Sequence, residues 1–577
     1  MKGIVAALGM ALAPAYIVSE PERSIPKLAI KDIPEEIERF RCASAACGSQ
    51  IEAIIADLEG AADPQTIEIL DFQLLLLEDT SYTGDIESII TGKGLNAEFA
   101  VESASEKYIS RLESFTDNDY LRERTADISD LSRRLISVLS GDSAETEPDG
   151  PYIAVGLDIA PSRVAELSRT RLAGIILEKG GVTSHCVIIS RSLGIPCLIE
   201  TQGVLDAVKP GDMVLLDAVL GEVVLFPDSA RISAYNEYIA NDKVNKAILG
   251  DYRNRRSETL DGARMKVYAN ITMSAESENV LQQGGEGIGL FRSELLYMSQ
   301  PDRPPSEEKQ YHEYARVAKT LGGRPLIIRT LDIGGDKQVG YMDIGKEDNP
   351  FLGYRAIRYC LDHPEVFMPQ ISAILRAGSV GNVQLMFPMI ACKSELVAAK
   401  QVVEHVKAEL RAKGIGYDPD MKIGMMVETP AAAIDAEVFA KEVDFFSIGT
   451  NDLSQYLFAA DRANAKVTSL NSWFQPTLLR VVGRVAKAAK SEGIEVDICG
   501  QAAEIDALVP VWLAMGIDNL SVSIPHITSV RRRICTLNSP DCARIADAVL
   551  ALDSSAEVEC MLTDFDERNA MYDNKRI

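Results

Sequence analysis

From about residue 257 onward, short apolar runs alternate with stretches whose apolar positions recur every three or four residues. Eight runs have strand length: Lys266–Ile271, Gly287–Phe291, Pro325–Arg329, Asn382–Phe387, Lys422–Val427, Val443–Ile448, Glu495–Ile498 and Asn519–Val522. Eight strands alternating with helices over ~300 residues predict a (β/α)8 barrel. Upstream the pattern changes twice. Between about residues 20 and 141 the periodicity is helical. Leu121, Ile128, Leu131, Leu135 and Leu139 mark one apolar stripe with Gly141 as its stop, and Leu74–Leu77 lies in another helix. Asp142–Gly150 is rich in acidic and turn residues and reads as a linker. Tyr152–Val155, Gly174–Leu177, Cys197–Ile199 and Val214–Leu216 then read as strands of a small α/β domain, with a helix at Ser162–Leu167. Ala230–Arg256 is polar and helix-prone and reads as a connection to the barrel.

In a (β/α)8 barrel, chemistry gathers just past the C-terminal ends of the strands. The residues there are Arg292, Arg329, Glu428, Asn451, Asp452 and Cys499. Two guanidiniums, two carboxylates and a thiol at successive strand ends point to a site for an anion and a metal ion. Taken singly, an Arg is more often a surface ion pair and a Cys a small buried hydrophobe. The argument therefore rests on their common location.

Composition narrows the class. The chain has 577 residues, too many for one ordinary core, and a formal net charge of −26. That balance disfavours nucleic acid or an anionic membrane as the main partner. The apolar stretch Ile4–Ile17 contains Pro14 and reads as a first β-strand rather than a signal peptide. No apolar run reaches the ~18 residues of a membrane span. The ten cysteines form no CxxC pairs, which fits reduced thiols and a cytoplasmic location.

One of only five histidines, His185, follows a Gly-Gly turn in Gly180-Gly-Val-Thr-Ser-His185-Cys-Val-Ile-Ile-Ser-Arg191. Thr183 and Ser184 can cap a helix whose amides attract an anion, and Arg191 is expected to add a charge. A neutral imidazole in that position is a nucleophile. A buried structural histidine at a helix start is the competing reading.

This motif resembles the swivelling phosphohistidine domain of the phosphoenolpyruvate (PEP)-utilising enzymes, which include enzyme I of the sugar phosphotransferase system, pyruvate phosphate dikinase and PEP synthase. The likeness continues through Gly287-Ile-Gly-Leu-Phe-Arg292-Ser-Glu-Leu-Leu-Tyr-Met298, Arg329-Thr-Leu-Asp332-Ile-Gly-Gly-Asp336-Lys337, Asn349-Pro-Phe-Leu-Gly-Tyr-Arg355, Gly424-Met-Met-Val-Glu428-Thr-Pro, Ser447-Ile-Gly-Thr-Asn451-Asp452, Asp461-Arg462 and Cys499-Gly500. Asp119-Tyr-Leu-Arg-Glu-Arg-Thr-Ala-Asp-Ile resembles the helical insertion of enzyme I. There is no room for an ATP-grasp domain and no Walker A sequence, so the order of motifs fits enzyme I rather than a dikinase. A non-catalytic PEP sensor is the alternative from another class, and the presence of both His185 and Cys499 speaks against it. Three departures stand out. Gln501 follows Cys499-Gly500 where the family commonly has Glu, Ala463 stands where Gly is usual, and the first strand is atypical. The change at Gln501 is expected to tune the acidity of Cys499 or the contacts around it.

The resemblance implies a multidomain α/β fold. Residues 1–20 and 145–228 would form the phosphohistidine domain, 21–144 an inserted helical bundle that binds the carrier, 229–256 a linker helix and 257–577 the PEP-binding barrel. It implies that His185 receives the phosphoryl group of PEP and passes it to a histidine of the carrier HPr, releasing pyruvate. Cys499 is the implied proton donor. Arg292, Arg329, Arg355, Asn451, Asp452 and Arg462 are the implied PEP ligands, and Glu428 with Asp452 hold Mg2+, for which Mn2+ can substitute. A homodimer through the barrel is also implied.

Overall fold

The computed structural model describes residues 1–573 apart from 19–24, 59–63, 114–118, 142–147, 160, 169, 182–184, 299, 301–302, 336–338, 343, 346, 463 and 465. The chain divides into two compact units, Met1–Lys243 and Val244–Ile577.

The first unit carries a seven-stranded sheet of β1 (Ile4–Ala7), β2 (Met10–Ile17), β3 (Tyr152–Gly156), β4 (Leu172–Leu177), β5 (Cys197–Ile199), β6 (Met213–Asp217) and β7 (Glu222–Leu225). Their order is β1-β5-β4-β3-β2-β6-β7. The central run β2-β3-β4-β5 is parallel, and β1, β6 and β7 pair antiparallel at the edges. Parallel strands covered on both faces lose polar alternation. In β3, Tyr152 and Ala154 enter one core, with Ile175, Leu177 and Cys197, while Ile153 and Val155 enter the opposite one, with Ile176 and Leu198. The Ile4–Ile17 segment is two strands and not one: the chain breaks at Leu8–Gly9, and β1 crosses to pair with β5.

Between β2 and β3 the chain leaves the sheet for α1 (Ile33–Leu58), α2 (Pro64–Glu78), α3 (Thr80–Lys93), α4 (Ala97–Glu113) and α5 (Asp119–Ser140). Their apolar faces share one core of Phe40, Ile51, Ile86, Ile90, Val101, Ile128, Leu131 and Leu135. Of the stripe read from the sequence, Ile128, Leu131, Leu135 and Leu139 form the buried face of α5, and the Leu121 side chain lies outside the described residues. The Asp142–Gly150 linker falls largely outside the described residues. Around the sheet lie α6 (Pro161–Ser168), α7 (His185–Ser192) and α8 (Val204–Ala207), and α9 (Ser229–Tyr252) leads out of the unit. The division between units falls inside α9.

The second unit is a closed parallel barrel of β8 (Lys266–Ile271), β9 (Ile288–Arg292), β10 (Leu326–Arg329), β11 (Val383–Phe387), β12 (Ile423–Val427), β13 (Phe445–Ile448), β14 (Glu495–Ile498) and β15 (Asn519–Val522). Each of the eight apolar runs in the sequence pattern resolves here to a strand, shifted by at most two residues at either end. Outward residues such as Phe291, Ile328, Phe387 and Ile448 pack under the helices. Leu290, Ile327, Met386, Met426, Phe445 and Cys499 form a separate cluster inside the barrel. Among the described residues no helix is long and apolar enough to cross a membrane.

Candidate functional site

The barrel brings its strand-end residues to one mouth. Arg292 and Arg329 are the last residues of β9 and β10, Glu428 directly follows β12, and Cys499 directly follows β14. Asn451 and Asp452 sit in the first turn of the helix Thr450–Phe458, which starts one residue after β13. The intervening residue, Gly449, leaves room for a carboxylate: a Cβ there would lie 2.9 Å from Glu428 Oε2. Arg355 arrives from the long connection after β10.

These side chains form a buried ionic network. Arg329, Asp332, Arg355, Glu428 and Asp452 are each less than a tenth exposed. Arg329 Nη2 donates to Glu294 Oε1 and lies 3.1 Å from Asp332 Oδ2. Arg355 donates to Asp332 through Nε at 3.1 Å and through Nη2 at 2.9 and 3.0 Å. Its Nη1 reaches Tyr456 OH at 3.1 Å and Asp452 Oδ1 at 3.4 Å. Tyr456 OH in turn donates to Phe351 O, tying the loop that carries Arg355 to the helix that carries Asp452. Burial would lower the pKa of both guanidiniums, but the facing carboxylates, Glu294 and Asp332 first for Arg329 and Asp332 first for Arg355, hold them above their ordinary value.

Glu428 is in the opposite situation. Burial first, then the charges of Asp452 and Asp332, push its carboxyl up to about 8, against the pull of Arg329 and Arg355. Its Oε1 accepts the Met389 N–H at 2.7 Å. Among the described residues no cluster of three or more His, Cys, Asp and Glu forms a metal cage. A cation here would take Glu428 and Asp452 and complete its shell with ligand oxygens, which is the habit of Mg2+. The all-oxygen donor set, and the carboxylate repulsion a cation would relieve, fit that ion. Burial also dominates at Cys499, whose thiol is pushed up to about 11.

The remaining expected ligands stand differently. Asn451 is half-buried, and its Oδ1 accepts the Gln501 N–H at 2.9 Å, which leaves its amide nitrogen for a ligand. Arg292 is half-buried at the end of β9. Arg462 is exposed, and its backbone N–H donates to Gln455 at 3.2 Å, so the structure does not bring it into the buried network. The Gln501 side chain is exposed, and the groups that shift Cys499 are Ser447, Glu428, Arg329 and Arg292. The sequence reading passed over Glu294, Asp332 and Tyr456 as site residues. For Asp332 and Glu294 the available signal was a carboxylate two or three residues past a strand-end arginine.

In the first unit, His185 is the first residue of α7, preceded by Gly180 at φ 125°. The His185 side chain, with Thr183 and Ser184, lies outside the described residues, as do Asp336, Lys337 and Ala463. The expectation for Arg191 is corrected. It stands in the last turn of α7, away from His185, and its Nε donates to Ala6 O at 2.5 Å, which fastens the helix to β1.

Comparison with known proteins agrees with this arrangement. Three family descriptions match successive segments: "PEP-utilising enzyme, N-terminal" at residues 2–124, "PEP-utilising enzyme, mobile domain" at 148–221 and "PEP-utilising enzyme, PEP-binding domain" at 246–539. The chain is 37% identical over 560 residues to the phosphoenolpyruvate-protein phosphotransferase of Priestia megaterium, covering 97% of each chain. It is 38% identical over 567 residues to that of Staphylococcus carnosus (strain TM300), covering 98% of this chain and 99% of the relative. The corresponding protein of Listeria monocytogenes is 38% identical over 560 residues, covering 97% and 98%. With a closed eight-stranded parallel barrel, a mobile-domain segment containing the His185 motif and relatives aligned end to end, this chain belongs to the PEP-utilising enzymes, in the family of phosphoenolpyruvate-protein phosphotransferases.

Proposed function

We propose that this chain transfers the phosphoryl group of PEP to His185 and from there to a histidine of the phosphocarrier protein HPr, releasing pyruvate as the first step of a sugar phosphotransferase system. The observation that carries the reading is the buried mouth of the barrel, where Arg329 and Arg355 face Glu428 and Asp452 beside the protonated thiol of Cys499.

PEP is a small, highly charged anion, and planar guanidinium forks suit its phosphate and carboxylate oxygens. Arg329 Nε is buried and has no hydrogen-bond partner among the described residues, so a donor is available for a ligand oxygen without breaking the clamp on Asp332. Arg292, Arg355, Asn451 and Arg462 are the further ligands. Mg2+ or Mn2+ held by Glu428 and Asp452 would neutralise charge on the phosphoryl and enolate oxygens. The His185 imidazole nitrogen attacks phosphorus in line, forming the P–N bond as the P–O bond to the enol breaks. Cys499 then gives its proton to the methylene carbon of the enolate, and the S–H electron pair stays on sulfur. A thiol held up to about 11 remains protonated at neutral pH and is ready for this step.

The family likeness supports a cytoplasmic homodimer paired through the barrel. It also supports α1–α5 as the carrier-binding bundle.

Incubation with labelled PEP and Mg2+ tests the function. The expected product is an acid-labile phosphohistidine on His185 that disappears when HPr is added, with pyruvate formed in equal amount. Label retained at wild-type level in His185→Ala would place the nucleophile elsewhere.

A further inference from the structure

The barrel interior holds a hydroxyl that the mechanism above does not use. β13 and β14 run parallel, with Ser447 paired to Asp497 and Ile448 to Ile498. Cys499 extends that register, and its N–H donates to Ile448 O at 3.2 Å. Its thiol lies 3.7 Å from the same oxygen, so the S–H proton already has an acceptor. Side chains on one face of a strand recur every second residue. Phe445 and Cys499 both belong to the interior cluster, and Ser447, two residues past Phe445, faces inward with them. Ser447 is fully buried, and its Oγ has no hydrogen-bond partner among the described residues. A buried hydroxyl left without a partner is destabilising. A neutral thiol is a poor acceptor for that hydroxyl, and a thiolate is a strong one.

We propose that Ser447 is a positioning residue for the proton-transfer step: its hydroxyl donates to the Cys499 sulfur once that sulfur has given up its proton. This rests on the reading of Cys499 as the acid. In the resting state the S–H points to Ile448 O. When the proton passes to the enolate carbon, the S–H bond breaks and the electron pair remains on sulfur. The Ser447 O–H, intact throughout, turns to that pair, and a hydroxyl left unsatisfied in the resting state becomes satisfied as charge develops. This is the arrangement that favours a transition state over a ground state.

The charges around the sulfur set the scale of the effect. Burial raises the Cys499 pKa, and the Ser447 hydroxyl, near enough to favour the thiolate though outside hydrogen-bond geometry with the neutral thiol, is the largest influence drawing it back; Glu428 past β12 raises it, and Arg329 on β10 and Arg292 on β9 lower it. Asp497 on β14, the cross-strand neighbour of Ser447, accepts from Asn519 Nδ2 at 2.5 Å and is held protonated up to about pH 8.

The test uses the full chain with Ser447→Ala, and with Ser447→Thr and Ser447→Val as a pair of equal volume that differ in the hydroxyl. Iodoacetamide labelling of the Cys499 peptide, followed by mass spectrometry at pH 8–9, reports the thiolate fraction, and pyruvate formation gives kcat and KM. The expected result is a fall of about tenfold in both labelling rate and kcat for Ala and Val, with KM unchanged and Thr close to wild type. Labelling and kcat at wild-type level in Ala, or equal behaviour of folded Thr and Val variants, would overturn the proposal. Cys499→Ala separates the two levels of the argument. If it leaves pyruvate formation unchanged, the acid is another group and the proposal falls with that reading. If it stops pyruvate formation while Ser447→Ala labels normally, only the role of Ser447 is lost.

Discussion

Arg355 holds Asp332 by three hydrogen bonds, two from Nη2 at 2.9 and 3.0 Å and one from Nε at 3.1 Å, while the same carboxylate lies 3.1 Å from Arg329 Nη2. One side chain thus fixes the orientation of both buried guanidiniums in the barrel mouth. A fork that must meet phosphate oxygens cannot also be free to rotate, and Asp332 removes that freedom before substrate arrives.

Asp332→Asn is therefore expected to disturb substrate binding and stability together. The amide keeps the shape but loses the charge that offsets two buried cations. Breaking such a network costs ~3–5 kcal/mol when a partner is removed outright and less for an isosteric amide. KM for PEP should rise at least tenfold, and the thermal midpoint should fall by several degrees. Unchanged KM in a folded Asp332→Asn enzyme would show that Arg329 and Arg355 are oriented without it.

Glu428→Gln and Asp452→Asn are expected to abolish the dependence of pyruvate formation on Mg2+ or Mn2+ by abolishing the activity itself. Metal binding can be read separately, by calorimetric titration with Mn2+ in the presence of PEP. Loss of the binding isotherm in both variants is the expected outcome. Full wild-type turnover in excess chelator would remove the metal from the mechanism.

The boundary between the two compact units, Lys243 and Val244, lies within α9 and gives a separable claim. If His185 swivels between donor and carrier about the Ala230–Arg256 segment, the two halves should divide the chemistry between them. Residues 1–243 are expected to exchange phosphate reversibly with phosphorylated HPr and to remain unlabelled by PEP. Residues 244–577 are expected to bind PEP and transfer nothing. Labelling of the isolated first unit by PEP would defeat the swivel.

The parts of this molecule legible in its sequence are those set by local pattern. The barrel strands are covered on both faces, so a run such as Ile423–Val427 loses polar alternation, although Gln384, Ser447, Asp497 and Ser521 interrupt other strands, and polar residues at the strand ends mark the mouth. Pairings across the chain are not local and did not show. Asp332 and Glu294 lie three and two residues past strand-end arginines, but only the closed barrel brings both against Arg329. In the first unit the only break signal in the alanine-rich segment Ile4–Ile17 before Pro14 is the single Gly9, whose φ of 139° marks the turn, and two strands read as one. The short β7 hid behind the Val219-Leu220-Gly221 turn. Arg191 was placed beside the anion site from its nearness in sequence, yet six helical residues carry it ~9 Å along the axis from His185.

Asp497 supplies a prediction about stability against pH. It is buried in the barrel wall, and burial first, opposed by the Asn519 hydrogen bond and assisted by Glu495 and Asp518, raises its carboxyl to about 8. An unfolded aspartate titrates near ~3.9. Between these values the folded chain holds a proton that the unfolded chain releases, so the unfolded state binds fewer protons and stability falls as pH rises. The loss begins near pH 4, grows until about pH 8 and levels off above it. Asp497→Asn removes the titration. It also offers an N–H toward Asn519 Oδ1, which is buried without a hydrogen-bond partner among the described residues. The variant should be more stable than wild type at pH 7.5, by on the order of 2 kcal/mol, with the difference shrinking toward pH 4. Urea midpoints measured at pH 4.5, 6 and 7.5 decide the matter: a difference that is absent at pH 7.5, or constant across the three, would mean that Asp497 is ionised in the folded barrel.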